Sequence, residues 1–268
     1  MVSKLEPYEL PGKRLALLQQ CFCQQADPES IAAVYTKRPK ESELRTKITG
    51  ELSMSGYATH HPAPVMEAVL RSVARTWDKF HEASVSPSDF VRTPNGASYE
   101  IVNIAGKGRG IIASRDIKAG ETILEEAPVL VLPPESVAIL IFLTLPREAL
   151  EAILLLYNEH PGVKRLSAAQ DIPVHRLVDL LQGILNTNAF GTHCVSCGNV
   201  GVLLLTGSLF NHSDNANVTR QWDDATEKMV FTSERDIKVG EELVLDYVPG
   251  MVGLERVERL RGYGILEI

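Results

Sequence analysis

Asn211 and His212 follow an apolar run, Val202 to Leu205, and precede a polar tail that holds two more asparagines, Asn215 and Asn217. Asparagine and aspartate tolerate left-handed backbone and bond their own chain, so a turn accounts for the tail. A turn does not account for a histidine at the edge of a strand-like run, and three readings stand: a turn, a metal site, or part of a pocket wall. Tyr247 closes a second segment, "GEELVLDY", and is either a strand-end surface aromatic or a hydroxyl held inside a site. "GKGRG", Gly106 to Gly110, is a loop whose glycines let a ligand come close to the backbone. It has neither the GxGxxG spacing of a dinucleotide fold nor the GK[ST] ending of a phosphate loop. The four cysteines occur as Cys21-x-Cys23 and Cys194-x-x-Cys197. One CxxC, even with His193 beside it, supplies at most three local ligands, one short of a structural zinc site. Reduced, unpaired thiols are the default in an intracellular chain.

These residues sit in a chain whose texture changes near residue 97. Before it, "GKRLALLQQCFCQQ" and "APVMEAVLRSVARTWDKFHEA" repeat apolar residues at helical spacing, as in Val65, Val69, Val73, Trp77 and Phe80. Pro62 and Pro64 stand where a helix start tolerates proline. "SVSPSDFVRTPNGAS" then marks a connection. After it come short β-rich runs: "SYEIVNI", "ETILEEAPVLVL", "GVLLLTGSLF", "KMVFTSERD" and "EELVLDYV". A helical insertion over residues 134–188, with "REALEAILLLYNEH" and "VHRLVDLLQGILNTNAF", interrupts them. This is not the alternating rhythm of a parallel sheet, so the fold class is α+β. "RDIKAGE" (Arg115 to Glu121) recurs as "RDIKVGE" (Arg235 to Glu241), and each copy reads as a strand–turn–strand hairpin whose glycine takes positive φ.

Charge narrows the partners. Residues 1–98 hold 12 Lys and Arg against 11 Asp and Glu, whereas residues 99–268 hold 15 against 23. An acidic second part argues against direct nucleic-acid binding, which needs a basic footprint, and suits a basic protein or peptide. The start has no apolar signal region, and the longest apolar run, Val137 to Leu145, is too short to span a bilayer. A cytoplasmic or nuclear chain with no membrane partner is the expectation.

In order, "GKGRG", "LNTNAF", "FNHSDNAN", "GEELVLDY" and the closing "RVERLRGYGI" resemble the SET-domain family of S-adenosyl-L-methionine-dependent protein lysine methyltransferases, in the branch with a helical insertion. The periodicity gives a helical N-terminal region, 1–97; after it the resemblance implies a SET domain, 98–268, a β-clip of short sheets whose C-terminal segment threads a loop near the Asn-His motif. It implies that Lys107, Gly108 and Arg109 meet the methionine end of the cofactor through their backbone. Asn188 reaches the cofactor; taken alone, it is a helix-terminal asparagine. Asn211 binds the amino-acid moiety, His212 offers backbone to the adenine, and Tyr263 matches the family's terminal tyrosine. Tyr247 orients the substrate amine, and Leu245, two residues before it, lines the lysine channel. The partner is a protein or peptide that presents a lysine, from a histone or another protein.

This chain also departs from the pattern. Asp214 stands where the family often has a cysteine, Ala216 where it has a proline, and Ile265 where an adenine-stacking phenylalanine is common. The cysteines that would follow for a zinc site are not in the sequence, so no metal is expected. The rival reading is a catalytically weak SET fold that serves as a protein-binding module.

Overall fold

The computed structural model describes residues 40, 42–46, 63–81, 89, 92–133, 139–142, 144–158 and 174–265. The helix expected over "GKRLALLQQCFCQQ", with Cys21 and Cys23, lies outside them, as does Pro62. The chain divides into two compact units that are each discontinuous in sequence. One holds the described residues of 88–127 and 204–268, the other those of 8–87 and 128–203.

The first unit is built of short sheets. Strands β1 (Tyr99–Ile104) and β2 (Gly108–Ala113) pair antiparallel around a turn at residues 105–107. The turn depends on Gly106 and Gly108, both left-handed at φ 78° and 79°. Strand β3 (Thr122–Glu126) joins β9 (Lys228–Ser233), which also pairs with β8 (Val218–Asp223), giving a three-stranded antiparallel sheet. The side chain of Asp223 closes the β8–β9 turn by accepting from the Ala225 N–H and the Thr226 hydroxyl. Two short strands, β7 (Asn211–His212) and β10 (Val244–Leu245), run parallel. Residues 213–217 then close around β10: Ser213 N–H donates to the Leu245 carbonyl and Asn217 N–H to that of Val244. The buried Asn217 side chain accepts from Val244 N–H and donates to the Glu242 carbonyl.

The repeated heptapeptides form turns, with Gly120 and Gly240 at φ 78° and 83° as expected, but they are not hairpins. The strands flanking each copy belong to different sheets, because β2 pairs with β1 while β3 pairs with β9, and β9 pairs with β3 and β8 while β10 pairs with β7. The copies pair with each other instead. Ile117 and Ile237 exchange both backbone hydrogen bonds, Lys118 meets Asp236 at 2.8 Å, and Lys238 meets Asp116 at 2.7 Å. Each copy also closes on itself through Arg115–Glu121 and Arg235–Glu241. A local turn motif does not specify its partner strand; here the partner is the motif's own repeat.

The second unit has helix α1 (Ala63–His81), with Val65, Val69, Val73, Trp77 and Phe80 all buried as their spacing predicts. Three of its polar side chains reach outward to main chain: Thr76 Oγ1 donates to the Val129 carbonyl, Ser72 Oγ accepts from Val131 N–H, and Trp77 Nε1 donates to the Thr144 carbonyl. Strands β4 (Leu130–Leu132), β5 (Ala189–Cys194) and β6 (Gly198–Leu203) form an antiparallel sheet in the order β4-β6-β5. Helices α2 (Ile139–Phe142), α3 (Arg147–Ile153) and α4 (Val174–Asn188) occupy the insertion. Helix α3 stops at Ile153, before the apolar run Leu154 to Tyr157 that the pattern carries on; Leu154 and Leu155 form a turn, and Leu156 is buried. Among the described residues no helix is long and apolar enough to cross a membrane.

Candidate active site

The site is assembled in the first unit, and its foundation is a buried carboxylate. Glu126, at the end of β3, accepts the backbone N–H groups of Leu205 (2.9 Å), Thr206 (3.1 Å) and Gly207 (2.7 Å). It thereby satisfies the amides that enter the 3₁₀ turn Gly207–Leu209. A Cβ at Gly207 would stand 2.7 Å from Phe231 Cζ and 2.8 Å from Leu204 Cδ1, so a side chain there would force one of them to shift. The turn delivers Phe210, whose ring stacks on Phe231 at 4.8 Å between centroids, and then the Asn211–His212 strand.

The His212 side chain is only 8% exposed, and both ring nitrogens are engaged. Its Nδ1 accepts the Tyr247 backbone N–H at 3.2 Å, so the ring proton sits on Nε2, which faces Asp214 Oδ1 at 3.3 Å. Asp246 lies farther from Nδ1, at 3.9 Å, and the amide is the nearer partner and a true donor. With this bonding, neither ring nitrogen is left for a metal or a general base. Among the described residues no group of three or more His, Cys, Asp or Glu side chains could hold a metal ion.

Tyr247 emerges from β10 beside it. Its hydroxyl donates to the Phe210 carbonyl at 2.7 Å, and its ring packs against His212 (5.3 Å) and edge-on against Tyr263 (5.1 Å). Burial first, then the neighbouring Tyr263 and Glu242, push its phenol well above the ordinary tyrosine value. It is therefore a neutral hydroxyl at physiological pH. Arg259 lies over the Tyr263 ring at 5.7 Å. Helix α5 (Gly253–Arg261), which carries Arg259 and leads into the turn that holds Tyr263, is fastened by Arg256, which bonds both oxygens of Asp246 (3.1 Å each), the Val248 carbonyl (3.0 Å) and Asp214. Arg256 holds the Asp214 carboxyl below its usual range. The position that departs from the family pattern thus carries an ion pair to the C-terminal helix.

Asn211 faces the β1–β2 hairpin. Its Nδ2 donates to the Arg109 carbonyl at 3.3 Å and to Glu242 Oε1 at 3.0 Å, while Lys107 Nζ meets Glu242 Oε2 at 2.8 Å. Asn211, His212, Tyr247, Tyr263 and the Lys107–Arg109 segment are therefore joined by direct contacts or through Glu242. Leu245 is buried, its backbone paired with His212. Asn188 belongs to the other unit, where it is the last residue of α4 and its amide donates to the carbonyls of Ile184 and Tyr157. Sequence reasoning passed over Glu242 and Asp246, although both lie inside "GEELVLDY", and over Arg256 in "RVERLRGYGI". Their signal was a charged residue within an otherwise assigned motif, and a charge of that kind reads as solvated until its partner is known.

The donor and acceptor set suits the amino-acid end of a nucleoside cofactor. A Cβ at Gly106 or Gly108 would meet nothing within 4 Å, so the hairpin backbone is open to close approach. Asn211 has both N–H donors engaged and offers its oxygen as an acceptor.

The chain has recognisable relatives among known proteins. The family model of the SET domain matches residues 108–248. A Schizosaccharomyces pombe protein described as histone-lysine N-methyltransferase set5 is 28% identical over 151 residues, which are 56% of this chain and 42% of that protein. The chain thus spans less than half the length of that relative. Among solved structures, the SET domain of LSMT bound to lysine and AdoHcy aligns with 75% of this chain and 58% of its own, at 13% identity and a TM-score of 0.44.

Proposed function

The chain belongs to the SET-domain family, whose methyltransferases use S-adenosylmethionine, and from that premise we propose that it transfers methyl groups to a lysine side chain of a histone or other protein in the cytosol or nucleus. The observation that carries this reading is the junction of the two motifs: the Tyr247 N–H is held by His212, and the Tyr247 hydroxyl by the carbonyl of Phe210, next to Asn211. The cofactor, when bound, supplies a methyl group on a positively charged sulfur. Asn211, the backbone of Lys107 to Arg109 and of His212, and Tyr263 are the residues that would hold it.

The substrate lysine must be neutral to attack, against a reference pKa of about 10.4. Tyr247 does not take that proton, because its phenol is itself neutral and its own hydrogen is committed to Phe210. The ammonium proton leaves to water. What Tyr247 offers is the lone pairs of its oxygen, which accept an amine N–H and aim the nitrogen lone pair. Positioning of this kind is a large part of what an enzyme can contribute to a displacement between two bound partners. The acidic balance of residues 99–268 suits a basic peptide.

The test is methyl incorporation into basic protein substrates together with calorimetric titration of S-adenosylhomocysteine. Wild type should bind the ligand and methylate, and Tyr247→Phe should lose about a hundredfold or more in kcat with little change in affinity. Binding without turnover in both proteins would favour a binding module instead.

A further inference from the structure

The geometry points to Glu242 as a positioning residue that locks the Asn211 carboxamide with only its oxygen presented, so that the site selects ligands carrying an α-ammonium group. This rests on the S-adenosylmethionine reading of the pocket. An asparagine amide has two donors on one side and an acceptor on the other. Both donors of Asn211 are engaged, one by the Arg109 carbonyl and one by Glu242 Oε1. Each of those partners can only accept. Turning the amide over would set Oδ1 against a carbonyl oxygen and a carboxylate oxygen, replacing two attractions with two repulsions. Asn211 is therefore held in one orientation, and its free face calls for a donor.

Glu242 is itself braced for this task. Its backbone bridges to Ile112 of β2, its Oε2 is drawn to Lys107 Nζ at 2.8 Å, and its Oε1 is thereby left aimed at Asn211. Gly110 opens the space the amide occupies, because a Cβ there would stand 2.6 Å from Asn211 Nδ2. Without Glu242, one donor of the amide loses its partner and the rotamer loses half of its restraint. Lys107, also released, keeps its charge near the pocket, where it would repel an ammonium group rather than a carboxylate.

Calorimetric titration with three ligands tests the assignment: S-adenosylhomocysteine, its analogue lacking the α-amino group, and methylthioadenosine, which lacks the amino-acid end altogether. Wild type should prefer S-adenosylhomocysteine over the deamino analogue by about tenfold or more. Glu242→Met, close in shape and without an acceptor, should erase most of that preference while methylthioadenosine binds as before. Glu242→Ala is the second variant should the first fail to fold. Glu242→Gln, whose Oε1 accepts the same bond, should restore most of the preference. A wild type with no preference for the amino group overturns the proposal, as does an equal loss for all three ligands in Glu242→Met or Glu242→Ala. A wild type that binds none of them overturns the cofactor reading and this one with it.

Discussion

Leu245 ends the short strand β10, and Tyr247 follows it by two residues; on the proposed function the two have different tasks. The tyrosine hydroxyl is fixed by Phe210, and in the proposed reaction it would orient the amine. Leu245 is buried at the end of β10, and it stands where the resembled family uses an aromatic residue to help set the number of methyl groups added. A hydroxyl there can hold a water in the space that a second or third methyl needs. Leucine cannot bond such a water, and it is smaller and more pliable than an aromatic ring. Wild type is therefore expected to yield dimethyl or trimethyl product under excess cofactor, and Leu245→Tyr to move the distribution back towards one methyl. Mass spectrometry of a substrate peptide reads both; a strictly monomethyl wild-type product would remove Leu245 from that role.

At the scale of elements, the turn that precedes Asn211 is the most constrained part of the site. Glu126 collects three amides at its entrance, and Phe231 and Leu204 close over Gly207. Gly207→Ala adds one methyl group against a ring already stacked on Phe210, and overpacking of this kind costs roughly 1–3 kcal/mol. Because the Phe210 carbonyl receives the Tyr247 hydroxyl, the same substitution should lower kcat as well as Tm. Thermal melting and single-turnover methylation would measure the two effects. Unchanged values of both would show that the ring can yield. The paired heptapeptides brace the unit differently, through exposed ion pairs laid out with near two-fold symmetry. Exposed pairs contribute little singly and weaken with salt.

For the whole molecule, pH separates these contributions. The carboxyls of Asp116, Glu121, Asp214, Asp236 and Glu241 are held below their usual range, each chiefly by its lysine or arginine partner. A depressed carboxyl stabilises the fold above the unfolded value, near pH 4, and that stabilisation is lost as pH falls below it. On the alkaline side the sign reverses. Burial, with Glu126 adding to it, pushes Tyr99 up to about 12. Its contribution is complete below about pH 10, where unfolded tyrosine begins to ionise, and is lost as pH rises towards 12. Tyrosinate absorbance should therefore show a late stage, above the ordinary tyrosine range, that Tyr99 and Tyr247 contribute. Tyr99→Phe should make the alkaline fall in stability shallower, as followed by denaturant unfolding at stepped pH. An identical slope would place the sensitivity elsewhere.

Much of this was legible without coordinates, for a physical reason. Helical periodicity in α1 is a local property, and the buried stripe from Val65 to Phe80 follows from it. The glycines that require left-handed backbone, and the motifs that end in Asn211, His212 and Tyr247, are also written in short stretches of sequence. Partner choice is not local. That "RDIKAGE" pairs with "RDIKVGE" rather than forming its own hairpin, that Ser72 and Thr76 of α1 bond the chain around β4, and that Asp214 takes Arg256 as its partner depend on segments 40 to 120 residues apart being brought together. Glu242 shows the difference most clearly. In sequence it is one acid in an acidic stretch, and only the approach of Lys107 and Asn211 gives its two oxygens separate tasks.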